Sequence, residues 1–224
     1  FMSGDGGFLS IVAAPSIRSF ADLKGKTLSV DAMTTGAAFV LRELVARNGI
    51  AEGDVKFVRA GGTANRYADL VAGKHDATLL RTPFELLAQS RGFHMLANAN
   101  ALGRYQGTAG YVRLAWAREH EALLVAFLKG YKAGLDFVAD PANRGIAEAL
   151  LVANMRDMTP ALARQSYDLL LDPTAGLTRD MKPDIEGIAS VLALRAKYAL
   201  PAKTLGAPQK YVDLTWYDKA FGTR

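Results

Sequence analysis

Over the first hundred positions, short apolar runs each give way to a patch of small residues and then to a stripe with helical spacing. Thr27-Leu28-Ser29-Val30 runs into Asp31-Ala32-Met33-Thr34-Thr35-Gly36, and Val55-Lys56-Phe57-Val58 into Arg59-Ala60-Gly61-Gly62-Thr63. Ala77-Thr78-Leu79-Leu80 ends at Arg81-Thr82-Pro83. Ala37, Ala38, Leu41, Leu44 and Val45 repeat at the interval of a half-buried helix, predicted over 36–48 and closed by Asn48-Gly49. A second helix is predicted from about Ala64 to Ala72, and a third from Pro83 to before Gly92. His94-Met95-Leu96-Ala97 reads as a fourth short strand, and Phe8–Ala13 as one strand leading into a connector. Alternation of strand and helix predicts an α/β fold with a parallel sheet and right-handed crossovers. The three strand-to-helix loops then share the carboxyl edge, where open α/β sheets take ligands.

Beyond Ala99 the pattern changes. Tyr111–Ala115 alternates like a strand, and everything after Arg118 reads as helix. Leu124, Phe127, Leu128, Tyr131, Leu135 and Val138 form one stripe, and Ile146, Ala149, Leu150 and Ala153 the next. Thr159-Pro160 is an N-cap with proline at the first helical position, and Ile185, Ile188, Leu192 and Ala196 form a further stripe. The tail from Pro201 is polar and aromatic. These stripes need a covering layer, yet this part offers only two candidate strands. Gly4-Asp5-Gly6-Gly7 reads as a flexible segment.

Composition narrows the function classes. The 224 residues are 50% hydrophobic and 22% charged, with net charge +5 and no cysteine. Disulfides, zinc–thiolate sites and thiol nucleophiles are thereby excluded. The basic residues are scattered, so no nucleic-acid partner is expected. No apolar run reaches the ~20 residues of a membrane span; the nearest, Glu121–Val138, is broken by Lys129, Lys132 and Asp136. The start, Phe1-Met2-Ser3-Gly4-Asp5, carries no secretory signal, so any export signal lies outside this sequence. His75, His94 and His120 lack metal-ligand spacing, no nucleophile or phosphate-loop motif occurs, and no cofactor is expected.

The candidate site residues lie at the three loops. Thr34, Thr35 and Gly36 could present a hydroxyl and free backbone N–H groups to an anion, or form an ordinary helix cap. Gly61, Gly62 and Thr63 repeat the arrangement, where the glycines serve either a tight turn or close approach of a bound group. Arg66, one turn into that helix, pairs either with a ligand carboxylate or sulfonate or with solvent. Arg81 and Thr82 end the third strand, with Glu85 as the alternative partner for Arg81. Asp31 is a ligand contact, a cap or a hinge residue.

Ser19-Phe20-Ala21-Asp22-Leu23-Lys24-Gly25-Lys26-Thr27-Leu28, then Asp31 to Gly36, Gly61-Gly62-Thr63 with Arg66, and Gly73 with Asp76-Ala77 resemble the substrate-binding proteins of ABC importers. Tyr105-Gln106-Gly107, Ala115-Trp116-Ala117 and Asp140-Pro141-Ala142-Asn143-Arg144 continue the resemblance to the nitrate/sulfonate/taurine-type group, which includes thiamine-pyrimidine precursor binders. The resemblance implies a type II periplasmic-binding-protein fold: two α/β lobes joined by two crossing segments, closing by hinge motion on a small, anionic solute. Residues 1–19 would be hinge and a remnant of lobe 1, 20–104 lobe 2, and 105–224 the hinge return and helical part of lobe 1. The crossings near 13–19 and 100–115 would be the hinge. It also implies a membrane permease as partner, a place in the periplasm or on a lipid anchor outside the inner membrane, and no catalysis. Members carry a long stretch before the Asp-Leu-Lys-Gly-Lys motif, so the first lobe is expected to be incomplete, its stripes covered by a missing front or another copy. An enzyme of the same fold in thiamine-pyrimidine synthesis is the alternative, although the enzymes this resemblance brings in are Cys-rich at the site. An unrelated α/β ligand-sensing domain is the third reading.

Overall fold

The computed structural model describes residues 1–202 and 204–222. The strands are β1 (Met2–Ser3), β2 (Ser10–Ala13), β3 (Thr27–Val30), β4 (Lys56–Arg59), β5 (Ala77–Leu80), β6 (His94–Asn98) and β7 (Ala109–Gly110). The first helices are α1 (Gly36–Arg47), α2 (Thr63–Val71) and α3 (Phe84–Gln89). They are followed by α4 (Leu114–Glu119), α5 (Glu121–Ala139), α6 (Arg144–Asn154), α7 (Pro160–Leu170), α8 (Ile185–Tyr198) and α9 (Thr215–Phe221). Two compact units result: a sheet unit of Phe8–Gly103 with Val191–Leu205, and a helical unit of Phe1–Gly7, Arg104–Ser190 and Gly206–Arg224.

The sheet unit is built on a five-stranded sheet of order β4-β3-β5-β2-β6. β3 pairs in parallel with both β4 and β5, as the strand–helix alternation predicts. The sheet is nevertheless mixed, because β2 inserts antiparallel between β5 and β6. All four residues of β2 are buried, which is why its sequence, Ser-Ile-Val-Ala, shows no alternation. Ile11, Val12, Leu28, Leu41, Leu44, Leu70, Leu79 and Leu80 are almost fully buried and form the apolar interior of this unit. Two buried polar residues stay satisfied within the sheet: Thr78 Oγ1 donates to the Ser29 carbonyl at 2.9 Å, and Ser29 Oγ lies 3.0 Å from His75 Nε2.

The last part of α8 also belongs to this unit. Glu43 of α1, itself buried, accepts from Lys197 Nζ at 2.7 Å, from Tyr198 Oη at 2.7 Å and from Arg47 Nε at 2.9 Å. The Lys197 ammonium, with Tyr198 and Arg47, overcomes burial and takes its carboxyl down to about 2. Phe39 stacks on Tyr198, and the Arg42 guanidinium lies 4.6 Å from the same ring.

In the helical unit Met2, Ala117, Leu124, Leu128, Leu135, Met181, Trp216 and Tyr217 make one core. The aromatic tail therefore supplies core residues through α9; Lys203, Thr223 and Arg224 lie outside the described residues. The Gly4–Gly7 segment, expected to be flexible, is instead packed. The Asp5 carboxylate is buried and accepts from the amides of Gly7 and Thr108, and a Cβ at Gly6 would come within 2.1 Å of the Thr174 carbonyl oxygen. Gln106 completes this knot, donating to Ser3 Oγ at 2.8 Å and accepting from the Asp184 amide at 2.9 Å.

Three expectations are corrected here. The strand predicted over Tyr111–Ala115 is absent: the ladder stops at Gly110 and α4 begins at Leu114, because no strand among the described residues lies beside Tyr111. On α5, Leu124, Leu128 and Leu135 are buried but Phe127 is 51% exposed. On α6 the predicted stripe faces outward, with Ile146 and Leu150 each 54% exposed and Ala147 buried instead.

Candidate functional site

The sheet order places β3 between β4 and β5, so loops 31–35, 60–62 and 81–83 leave the sheet side by side. All ten candidate residues lie on these loops or within one helical turn of them.

At the first loop Thr35 is the N-cap of α1, accepting from the Ala38 amide at 3.2 Å. Its hydroxyl donates to Asp31 Oδ1 at 2.6 Å. A carboxylate thus already stands near the positive end of α1. Thr34 and Gly36 are exposed.

The second loop is barer. Gly61 turns the chain with φ at 73°, a conformation that disfavours any side chain. Gly62 is the N-cap of α2 and supplies no side-chain cap, so the first-turn amides beginning at Thr63 lack one. A Cβ at Gly62 would meet nothing within 4 Å.

Arg66 is held by the scaffold. It is only 3% exposed, and its guanidinium reaches two backbone carbonyls. Nη1 donates to the Gly61 oxygen at 2.5 Å, and Nε and Nη2 to the Leu79 oxygen at 3.3 and 2.9 Å. Nη2 also reaches Thr63 Oγ1 at 3.3 Å. One side chain therefore ties the glycine loop and the start of α2 to the end of β5. Burial lowers its pKa while the Asp31 carboxylate raises it, leaving positive charge under the bare helix end.

At the third loop Thr82 donates its hydroxyl to Glu85 Oε1 at 2.6 Å. Glu85 is buried, and burial pushes its carboxyl up against the opposing hydrogen bond from Thr82 and the charge of Arg81. Arg81 is half-buried and engaged. Two residues on this edge were not singled out from the sequence: Arg59, the exposed last residue of β4, and Met33, 45% exposed in the first loop. Their signal was position, immediately before or within a strand-to-helix loop. Among the described residues no group of three His, Asp or Glu side chains could hold a metal ion.

A family described as NMT1/THI5 like matches residues 6–144, which include the whole of this loop edge. The chain belongs to the NMT1/THI5-like family. Among solved structures, a protein of Bordetella bronchiseptica RB50 superposes with a TM-score of 0.74 at 16% identity, covering 98% of this chain and 72% of that one. The ligand-binding component of an ABC-type import system from Staphylococcus aureus, solved with zinc bound, gives 0.72 at 14% identity, covering 98% and 72%. The alkanesulfonate-binding protein SsuA of Xanthomonas axonopodis pv. citri, bound to MOPS, gives 0.65 at 18%, covering 86% and 65%. At these identities the likeness establishes the fold, that of type II periplasmic binding proteins. The chain spans 65–72% of the length of these three structures. No curated protein matches it.

Proposed function

We propose that this family member is the solute-binding component of an ABC importer, taking a small organic or inorganic anion without chemical change. The observation that carries the reading is the uncapped N-terminus of α2 at Gly62, with the Arg66 charge beneath it and two further strand-to-helix loops beside it. Backbone N–H groups at a helix end favour an anion, and a missing side chain allows it to approach. The first loop is the weaker seat, because Asp31 already offsets the α1 terminus. Membership in the NMT1/THI5-like family and the sulfonate-binding role named for one structural relative support the same class of ligand.

In this reading Gly61, Gly62 and Thr63 contact the ligand through backbone and hydroxyl, Thr34, Thr35 and Gly36 border it, and Arg81 and Thr82 bound its third side. Arg66 and Asp31 position the loops. The partner is a membrane permease, and the place of action is the periplasm or the outer face of the inner membrane. Closure on the ligand involves the passages of the chain between the two compact units, two of which end at Gly7 and Gly103, with φ at 105° and 90°.

A thermal-shift panel of nitrate, short alkanesulfonates and carboxylates tests the reading, using wild type and Gly62→Phe. Because a side chain at Gly62 meets nothing in the protein, the variant should keep the ligand-free Tm and lose the ligand-induced rise. Equal stabilisation of both proteins would remove the α2 terminus from the site.

A further inference from the structure

A buried acid stands beside the edge proposed to take an anion. Glu85 of α3 is 3% exposed, and its Oε1 accepts from the Thr82 hydroxyl at 2.6 Å. Its Oε2 is buried and has no hydrogen-bond partner among the described residues. Besides Thr82, its own backbone amide and, least, the charge of Arg81 act on the carboxyl. The elements packed against α3 are α2, β2 and β6. On α2, Arg66 is committed to backbone carbonyls and Asp69 pairs with Lys74. Tyr67 packs on Phe84 and on the Arg91 guanidinium. β2 has no titratable side chain, and β6 carries His94 alone. None of these is among the influences on Glu85. Enclosing a carboxylate with one oxygen unpaired is costly, and a proton removes the charge that makes it so.

The direction of the Thr82–Glu85 hydrogen bond decides what the third loop offers a ligand. A hydroxyl has one proton to donate and two lone pairs with which to accept. While Glu85 is ionised, Thr82 commits its proton to Oε1, and only lone pairs are left for a ligand. Those suit a donor and repel an anion. Once Oε1 carries a proton, it donates to Thr82 Oγ1 between the same two atoms, and the Thr82 hydrogen is free to turn to the ligand. Oε2 becomes the carbonyl oxygen of a neutral acid, and no heavy atom has to move. The Asp31–Thr35 pair repeats the 2.6 Å contact at the first loop, but Asp31 is only half-buried and its charge acts on Arg66. The enclosed pair is the one at the third loop.

We propose that Glu85 is a positioning residue for the ligand: it takes up a proton as the anion binds and so turns the Thr82 hydroxyl from Glu85 to the anion. The proton comes from water or buffer, rests on Oε1 and returns to solvent when the anion leaves, so no bond of the ligand changes. The ligand is an anion with acceptors only, such as a sulfonate or nitrate, held together with one proton. This rests on the reading of the loop edge as an anion site. Burial holds the Glu85 carboxyl above its ordinary 4.5, in the direction that favours uptake. Anion affinity is therefore greatest where Glu85 is already protonated in the free protein, and falls as pH rises past that point.

Isothermal titration calorimetry with nitrate and ethanesulfonate tests it, since both stay ionised from about pH 5.5 to 8.5. Each titration is run in two buffers of different ionisation enthalpy, which counts the protons taken up. The wild type should take up as much as one proton per anion, its affinity falling by up to about tenfold per pH unit. Glu85→Gln, whose amide donates to Thr82 as the acid would, should bind with no proton uptake and a flat pH profile. Thr82→Val keeps the carboxyl and removes the hydroxyl, so it should lose the gain in affinity at low pH. Binding by wild type without proton uptake, or uptake retained in Glu85→Gln, would overturn the inference and leave the anion site standing. A wild-type pH slope in Thr82→Val would do the same. If neither ion binds at any pH the inference fails, and if the carboxylates of the thermal-shift panel are silent too, the anion site fails with it.

Discussion

Arg66 shows how a residue chosen for one task is held by another. A surface arginine one turn into a helix reads as a ligand contact or a solvated charge, the solvated charge being the commoner case. Its guanidinium is held by the carbonyl of Leu79, thirteen residues away, and no local pattern announces that partner. Arg66→Met should leave buried carbonyls without a donor and cost roughly 1–3 kcal/mol, measurable by urea unfolding. His75 is a similar case. Its spacing from the other histidines suits no metal site, and it lies buried against Ser29. Burial lowers its pKa below the ordinary 6.5, opposed mainly by the charge of Asp69. The unfolded chain then takes up the proton first, so the share of stability tied to His75 is complete above pH 6.5 and lost as pH falls below it. Unfolding midpoints at pH 7.5 and 5.5 should differ less in His75→Gln than in wild type. The cap at Thr35 was more legible, because it acts within its own turn.

At the scale of elements, helices and strands that answer to local pattern stand within about a residue of expectation. α1 spans Gly36–Arg47, and β4 is displaced by one residue from the predicted run. The elements that were misjudged depend on distant partners. Phe8–Ala13 reads as one strand leading into a connector, and only pairing with β5 and β6 places β2 inside the sheet. Tyr111–Ala115 alternates like a strand but has no neighbour to pair with, and part of it turns helical. The α6 stripe is apolar at helical spacing, yet spacing alone does not say which side of a helix a fold will cover. The join of α1 to the end of α8 could not be foreseen either, since Glu43 and Lys197 lie far apart in sequence. The lowered Glu43 carboxyl gives that join a pH signature. Its contribution is complete above the ordinary value of 4.5 and is lost as pH falls toward about 2. Glu43→Gln should lower stability by about 1–3 kcal/mol at neutral pH and flatten the acid limb of the stability profile.

For the whole molecule, the family and the fold follow from an ordered set of weak motifs, each held by ordinary turn and cap chemistry. The shared edge of the three loops was legible because parallel strand–helix units must put their loops on one side. The ligand's identity was not, because the contacts named here are backbone amides and hydroxyls that suit any small anion. The central claim is that this chain holds such an anion and leaves it unchanged. Native mass spectrometry of freshly purified protein, followed by release of the bound species, tests that claim most directly. The account predicts a noncovalent adduct of one small acid, absent or strongly reduced in Gly62→Phe and recovered with its mass unaltered after incubation with the protein. A bound species that is cationic, or an acid converted to a new mass on incubation, would contradict it.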